Sequence, residues 1–258
     1  MPNAKDVTPM TEWWKCIIIG DPGTGKSIFA SSAPTPGFVF DFGTQIMSYR
    51  GLDFDYNQFD LSPIGWVNFE KSLIQVKKDV AEDKYQTVIV DDTTGMTDLA
   101  MERALQLDPK RSESGGPIWN VHYMMVRNLM EGRLRQIFDL KCNVIVICHL
   151  AYITDQKTGA ILGVEPMLTG QLSIKLPSYF DEVYYTTTKR EGGDTKWYIQ
   201  TVPIGYNHAR SRMSGKLRIL PDLIPNDWHE LMDYVTGKKK KAAKQPSPPA
   251  QTAKAEGK

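Results

Sequence analysis

The residues with the clearest chemistry in this chain form a glycine-rich run at positions 20–27, Gly-Asp-Pro-Gly-Thr-Gly-Lys-Ser. This spacing allows the backbone N–H groups of a loop to surround a triphosphate. The Lys26 ammonium would reach the β and γ phosphates, and the Ser27 hydroxyl would bind Mg²⁺. The run therefore predicts a nucleotide-binding loop, with contacts from Gly20, Asp21, Pro22, Gly23, Thr24, Gly25, Lys26, Ser27 and Ile28.

Two acids, Asp91 and Asp92, directly follow an apolar, β-branched run at residues 87–90. Such a run predicts a buried strand, whose end would lie at the carboxyl edge of a parallel sheet beside the nucleotide-binding loop. A P-loop enzyme needs a second group for its metal ion, and we assign this role to Asp91, acting through water. Asp92 is either a supporting acid or the group that polarises the attacking water.

Strand-like and helix-like runs alternate along the chain, which is typical of α/β proteins with a mostly parallel sheet. Apolar runs predict strands at residues 16–19, 37–41, 87–90 and 143–149. Helical spacing predicts a helix that begins at residue 27 and further helices at 69–80, 96–107 and 121–140. The later part of the chain predicts strands at 182–188, 196–202 and 217–220, a last helix at 227–235, and long loops at 108–119 and 151–170.

Composition limits the class of protein. The chain has 258 residues, of which 41% are hydrophobic, and this suits one α/β domain with a tail. Its three cysteines, Cys16, Cys142 and Cys148, and its four histidines lack the spacing of a metal site, so we predict no structural metal. A secretory signal and an apolar run of membrane-spanning length are both missing, which predicts a soluble protein of the reducing cytoplasm.

The order of these elements resembles that of the RecA-like ATPases, and within them the small phage-encoded single-strand annealing or recombinase proteins that contain little more than a RecA core. The resemblance covers residues 13–235. It implies an α/β, RecA-like P-loop fold with a mostly parallel sheet flanked by helices and an antiparallel β extension at the C-terminal end. We accordingly divide the chain into an N-terminal extension (1–12), a RecA-like ATPase domain (13–236) and a disordered basic tail (237–258) with seven lysines and one glutamate after residue 237.

The same resemblance implies roles for residues outside the two motifs. His149 stands at the end of a strand where RecA-like proteins carry a polar γ-phosphate sensor. The loops at 108–119 and 151–170 match in order the two loops that hold single-stranded DNA. Arg210 and Arg212 look like the basic residues of DnaB-type helicases that reach the γ-phosphate of a neighbouring subunit. The candidate DNA contacts are Lys110, Arg111 and Lys157 for phosphates and Trp119 and Tyr152 for bases.

One departure from the family pattern affects the catalytic base. RecA-like enzymes usually carry an acid just after the strand that follows the P-loop helix, and this chain has Gly43 at that position. Asp41 is then the nearest acid and a candidate base, with Gln45 orienting water. If neither residue substitutes, the protein binds ATP well and hydrolyses it slowly.

The resemblance implies a DNA-dependent ATPase that acts in phage-type recombination, in the host cytoplasm if the chain is phage-encoded. ATP and Mg²⁺ would lie between the subunits of a ring or filament, with single-stranded DNA and possible single-strand binding protein as partners, and no membrane. ATP is favoured over GTP because the chain has no Asn-Lys-x-Asp element for guanine. Two alternatives stay open, namely a P-loop small-molecule or nucleotide kinase and an assembly or helicase-loader-like protein that ATP stabilises without hydrolysis.

Overall fold

A mixed β-sheet with helices on both faces forms the centre of the computed structural model, which describes residues 13–62, 64–213 and 219–240. Its strands are β1 (Lys15–Gly20), β2 (Gly37–Asp41), β3 (Phe54–Gln58), β4 (Thr87–Asp91), β5 (Asn143–Thr154), β6 (Ile161–Pro166), β7 (Glu182–Glu191), β8 (Asp194–Gln200) and β9 (Leu223–Pro225). Its helices are α1 (Lys26–Ser31), α2 (Gly65–Ala81), α3 (Thr93–Leu107), α4 (Trp119–Phe138), α5 (Leu172–Lys175) and α6 (Trp228–Val235), with 3₁₀ turns at Ile46–Tyr49 and Leu176–Tyr179.

The strand order is β3-β2-β4-β5-β1-β7-β8-β9, and β6 pairs with the end of β5. All pairs from β3 to β7 are parallel, whereas β8 and β9 are antiparallel. This architecture confirms the predicted fold class, a mostly parallel sheet flanked by helices with an antiparallel extension at the C-terminal end. The register places Gly20 opposite His149 and Asp41 opposite Asp91, so the carboxyl ends of four neighbouring strands meet at one edge.

The hydrophobic core lies on both faces of the sheet. Residues of α2, α3 and α4, such as Phe69, Met96 and Val126, pack on one face, and Phe29 of α1 and Trp228 of α6 pack on the other. The central strands β2 and β4 are buried at every position. This double burial explains why their sequences are continuous apolar runs rather than alternating ones.

Three sequence predictions differ from the structure. The predicted loop at 151–170 is wrong, because β5 continues to Thr154 and forms an antiparallel hairpin with β6. Strand β3 was not predicted, since its exposed, polar residues have no apolar run that would identify an edge strand. The predicted strand at 217–220 falls partly outside the described residues, and β9 at Leu223–Pro225 is the strand that the structure has there.

Both predicted termini fall largely outside the described residues. The N-terminal extension at 1–12 and the tail from residue 241 onward belong to the part that the structure does not describe. The first tail residues are described, and Lys239 Nζ donates a hydrogen bond to Glu230 Oε2 of α6 at 2.6 Å. Among the described helices, none is long and apolar enough to cross a membrane.

Candidate nucleotide-binding site

The loop between β1 and α1 has the geometry of a phosphate cradle. Gly23 and Gly25 adopt positive φ angles of 75° and 91°, which glycine adopts without steric strain. The Lys26 side chain is buried inside the loop, where its Nζ donates to the carbonyl oxygens of Gly20 (2.9 Å) and Asp21 (2.8 Å). Burial lowers the pKa of Lys26, although the nearby Asp92 and Asp91 carboxylates oppose that shift. The ammonium is thus held at the loop by weak, exchangeable acceptors that a phosphate could replace.

Asp91 lies beside Ser27, as the sequence predicts. Its Oδ2 accepts a hydrogen bond from Tyr49 Oη at 2.9 Å, and the Ser27 hydroxyl also hydrogen-bonds to this carboxyl group. Its Oδ1 is buried and has no hydrogen-bond partner among the described residues. Burial raises the pKa of Asp91 to about 6, and the hydrogen bonds from Ser27 and Tyr49 only partly offset this effect.

These groups fit a magnesium ion. An unpaired carboxylate oxygen next to a hydroxyl supplies the hard oxygen donors that Mg²⁺ prefers, and Mg²⁺ usually takes its remaining ligands from water and substrate phosphates. The described residues contain no cluster of three or more His, Cys, Asp or Glu side chains that would hold a metal alone. Ser27 and Asp91 would therefore hold the ion together with a bound triphosphate.

Asp92 forms a pair with His149 at the same edge of the sheet. Its Oδ1 accepts from the Gly95 backbone N–H at 2.8 Å, which caps the N-terminus of α3, and its Oδ2 lies 2.9 Å from His149 Nε2. Because a carboxylate can only accept, His149 Nε2 carries the proton in this contact. Burial by itself would raise the pKa of Asp92, but the hydrogen bonds from His149 and Gly95 outweigh it and lower that pKa. Asp92 is consequently ionised at neutral pH.

The two acids considered as catalytic base have different surroundings. Asp41 is buried, and its two oxygens accept hydrogen bonds from the Gln45 backbone N–H (3.0 Å) and from Gln58 Nε2 (2.8 Å). These bonds connect the end of β2 with the segment that follows it and with β3. A Cβ atom added to Gly43 would lie only 3.4 Å from Asp92 Oδ2. The Asp92 carboxylate therefore occupies the space that an acid at residue 43 would enter, and the geometry favours Asp92 over Asp41 as the base.

A cleft of about 300 Å³ connects these groups with the loop. Residues on its walls come from the loop, from the segment after β2, from β5 and from β8, and they include Lys26, Ser27, Gln45, Ser48, His149 and Trp197. The predicted water-orienting residue Gln45 and the predicted sensor His149 thus face the same space as the phosphate cradle.

The predicted arginine fingers have partners within their own chain. Arg210 Nη2 donates to the carbonyl oxygens of Pro177 (2.7 Å) and Phe180 (2.6 Å). Arg212 Nε lies 3.2 Å from Glu182 Oε1, and its guanidinium stacks on Trp14 with 5.0 Å between the guanidinium carbon and the ring centroid. Both guanidinium groups are occupied in structural contacts, so this geometry gives no support to their predicted role in a neighbouring subunit.

Arg212 should instead matter for stability. Glu182 is fully buried, and removal of its cationic partner leaves an uncompensated charge, so we expect Arg212→Ala to lower the free energy of unfolding by about 3–5 kcal/mol. Urea denaturation followed by circular dichroism measures this change. The double variant Arg212→Ala with Glu182→Gln should recover part of the loss. Unchanged stability together with lost ATPase activity would contradict the structural role and restore the predicted one.

The predicted DNA contacts lie on two separate segments. Lys110 and Arg111 belong to the connection between α3 and α4, where Arg111 donates to backbone carbonyls at the end of α3, and Trp119, the first residue of α4, is 68% exposed. Tyr152 and Lys157 belong to the β5–β6 hairpin. Tyr152 Oη donates to the Asp21 carboxylate of the nucleotide-binding loop. The hairpin is therefore bonded directly to the loop, a connection that sequence reasoning did not predict.

Sequence reasoning also missed two residues that touch the loop from the C-terminal strands. Trp197 Nε1 of β8 donates to the Gly23 carbonyl at 3.2 Å, and Asn226 Nδ2 donates to the Gly25 carbonyl at 2.8 Å. Neither residue belongs to a motif, and both are about 200 positions from the loop in sequence. Only the antiparallel extension of the sheet brings them there.

Comparison with known proteins agrees with this site. A family model described as an AAA domain matches residues 12–213. The chain belongs to this family. The matched range includes the phosphate cradle at residues 20–27, and membership of an AAA-domain family supports ATP binding by this chain.

Solved structures with similarity to this AAA domain are distant. The flagellar accessory protein FlaH from Methanocaldococcus jannaschii is 11% identical, with a TM-score of 0.37 and coverage of 82% of this chain and 83% of FlaH. The KaiC-like protein PH0186 from Pyrococcus horikoshii is 10% identical, with a TM-score of 0.40 and coverage of 72% and 77%. No curated protein matches the sequence significantly. These similarities are too low to assign a ligand or a partner.

Proposed function

We propose that this protein is a Mg²⁺-dependent ATPase whose hydrolysis is stimulated by single-stranded DNA. The proposal rests on one observation, namely that two acids with different surroundings lie beside the phosphate cradle. Asp91 keeps an unpaired oxygen next to Ser27, whereas Asp92 is ionised and held by His149 and Gly95. The free oxygen of Asp91 beside Ser27 can serve as a metal ligand, and the ionised Asp92, held in one orientation next to the Cβ position of Gly43, is placed to accept a proton.

The chemistry follows from this arrangement. Backbone N–H groups of the loop and the N-terminus of α1 bind the phosphates, and Lys26 leaves its carbonyl acceptors to contact the β and γ phosphates. Mg²⁺, when bound at Ser27 and Asp91, neutralises charge on the phosphates. Asp92 accepts a proton from the water that attacks the γ phosphorus, the bond from that phosphorus to the β–γ bridging oxygen breaks, and ADP leaves. His149 fixes the orientation of the Asp92 carboxylate.

The hairpin supplies a physical link between nucleotide and DNA. Because Tyr152 donates to Asp21, a change in the loop on nucleotide binding alters the position of the β5–β6 hairpin. Tyr152, which is half exposed, and Lys157 near the tip of the hairpin could then stack on a base and contact a phosphate. This coupling predicts tighter DNA binding with ATP than with ADP, and a reciprocal effect of DNA on ATP affinity. Annealing or strand exchange by a ring or filament in phage-type recombination is the process that we infer for such an activity.

Phosphate release measured with and without single-stranded DNA tests the proposal. We expect Mg²⁺-dependent release from ATP that rises on addition of DNA, because ordering of the hairpin favours the ATP-bound arrangement of the loop. Lys26→Ala is the matched control, since it removes the phosphate-binding ammonium from the loop. Phosphorylation of a small acceptor molecule without DNA would contradict this proposal and indicate a kinase. An absence of turnover under every condition would leave a non-hydrolysing assembly protein.

A further inference from the structure

An apolar cavity of about 760 Å³ lies directly against the nucleotide-binding loop, on the side of the C-terminal strands. Its volume is within the range of small-molecule sites, which are mostly apolar with a few polar groups at the edge. The residues that matter for its chemistry are Gly25, Ile28, Trp197, Tyr198, Pro225 and Asn226.

Trp197 lines both this cavity and the phosphate cleft, as do Gly25 and Ile28, so the two spaces adjoin at these residues. Its indole N–H is bonded to Gly23, and its ring edge is so close to the loop that a Cβ atom on Gly25 would lie 3.2 Å from Cδ1. The ring is nevertheless 46% exposed, and Ile28 on the first turn of α1 is 56% exposed beside the same cavity. Large apolar side chains exposed together around a cavity are typical of a binding site.

We infer that this cavity is the nucleoside subsite of the protein, in which the base of the nucleotide stacks on Trp197 against Ile28. The inference rests on the proposed function, because it assumes that the phosphates occupy the loop. A nucleotide whose phosphates lie at Gly23 and Gly25 must place its base next to the loop, and this cavity begins at Gly25. The flat faces of a base match the indole and aliphatic surfaces available there.

A second cleft borders the loop on its other side, and its chemistry fits a base less well. It has a volume of about 290 Å³, and many of its walls are hydroxyl groups, contributed by Thr24, Tyr152, Thr186, Thr187, Thr188 and Tyr206. It is smaller than the first cavity, and its polar lining offers less apolar surface for the faces of a base. The apolar cavity is therefore the better candidate for the base.

The test compares ATP with a ligand that has phosphates but no nucleoside. Full-length protein is titrated with ATP and with inorganic tripolyphosphate, both with Mg²⁺, by isothermal titration calorimetry. Because loss of an aromatic stacking partner costs about 1–3 kcal/mol per base, Trp197→Ala should weaken ATP binding about 5- to 150-fold. Tripolyphosphate binding should change by less than about 2-fold, since Trp197 bonds to the loop at the Gly23 carbonyl, an acceptor that does not bind phosphate.

Two further variants separate stacking from structural effects. Trp197→Phe keeps an aromatic face and loses the hydrogen bond to Gly23, so it should retain most of the ATP affinity. Tyr56→Ala removes an aromatic side chain of similar exposure from the edge strand β3 and should leave both affinities unchanged.

Several outcomes would overturn the inference. Wild-type ATP affinity in Trp197→Ala would do so, and so would an equal loss for ATP and tripolyphosphate, which would mean that Trp197 only supports the loop. If Trp197→Ala selectively loses ATP affinity but the wild-type protein releases no phosphate, the proposed hydrolysis is contradicted and the nucleoside subsite is still supported. The binding measurement therefore distinguishes the failure of one proposal from that of the other.

Discussion

Asp92→Asn is expected to lower ATP hydrolysis by about 10²- to 10⁴-fold and to leave Mg²⁺-dependent ATP binding nearly intact. The substitution keeps the size of the side chain and an oxygen that can accept from the Gly95 N–H, but it removes the proton acceptor. His149 can adapt to the new amide by exchanging the proton between its ring nitrogens. Single-turnover phosphate release measures the chemical step, and calorimetric titration with ATP measures binding. Wild-type hydrolysis in this variant would contradict the assignment of Asp92 as the base.

The position of Gly43 provides a sharper form of the same experiment. A Cβ atom there would lie 3.4 Å from Asp92 Oδ2 and 3.3 Å from Gln45 Nε2, so a carboxylate at residue 43 would enter the space of the lost one after small side-chain shifts. We expect Gly43→Asp in the Asp92→Asn background to recover at least about 10-fold of the lost rate. Gly43→Asn in the same background is the matched control and should recover nothing. Equal rates for the two double variants would show that the site of proton transfer is elsewhere.

The parts of the site that could be located from the sequence are short contiguous segments. The nucleotide-binding loop needs only the order of strand, glycines, Lys26 and Ser27, and all of these lie within about ten residues. Asp91 and Asp92 could be placed because a fully buried parallel strand is a continuous apolar run, and its end marks the edge of the sheet. Local pattern and sheet geometry were sufficient for these residues.

The site predictions that the geometry does not support, and the contacts that were not predicted, all depend on residues far away in the chain. Asp41 was the nearest acid along the chain, but in the structure it bonds to Gln58 of the polar edge strand β3, and Asp92 is the acid that lies beside the Cβ position of Gly43. The sequence shows that Arg212 is positively charged, but it does not show the partner of that charge. Arg212 pairs with Glu182 because the segment after the antiparallel strands lies next to β7. Trp197 reaches the loop only through the register of β8, which no local pattern specifies.

The correction at Gly43 follows from the same limitation. The sequence showed that the expected acid was missing, and it offered Asp41 as the nearest substitute along the chain. In the structure, Asp92 is an acid that lies beside this position in space, although it follows a different strand. A missing side chain in a motif is therefore better tested against the three-dimensional neighbours of its Cβ position than against its neighbours in sequence.

Asp91→Asn should stabilise the nucleotide-free protein at neutral pH and at the same time lower hydrolysis by at least about 10²-fold. Burial raises the pKa of Asp91 from 3.8 to about 6, so the folded protein holds a proton there that the unfolded chain releases at a lower pH. The free energy of unfolding accordingly falls as pH rises between about 4 and 6, and the loss is complete above that window. An upward shift of this size corresponds to about 3 kcal/mol, because each unit is worth about 1.4 kcal/mol. The neutral asparagine avoids this cost and still accepts from Tyr49.

Urea denaturation of both proteins at pH 7.5 and pH 4 measures this difference. The gain in stability should be about 3 kcal/mol at pH 7.5 and should nearly vanish at pH 4, where the wild-type carboxyl is itself protonated. Asp60→Asn, at an exposed position before α2, is the control and should show no such gain. ATP with Mg²⁺ should reverse the order of stability, because the bound ion favours the ionised carboxylate of the wild type. Equal stabilities at pH 7.5 would contradict the unpaired, buried state of Asp91 Oδ1 and with it the reason for placing the metal ion there.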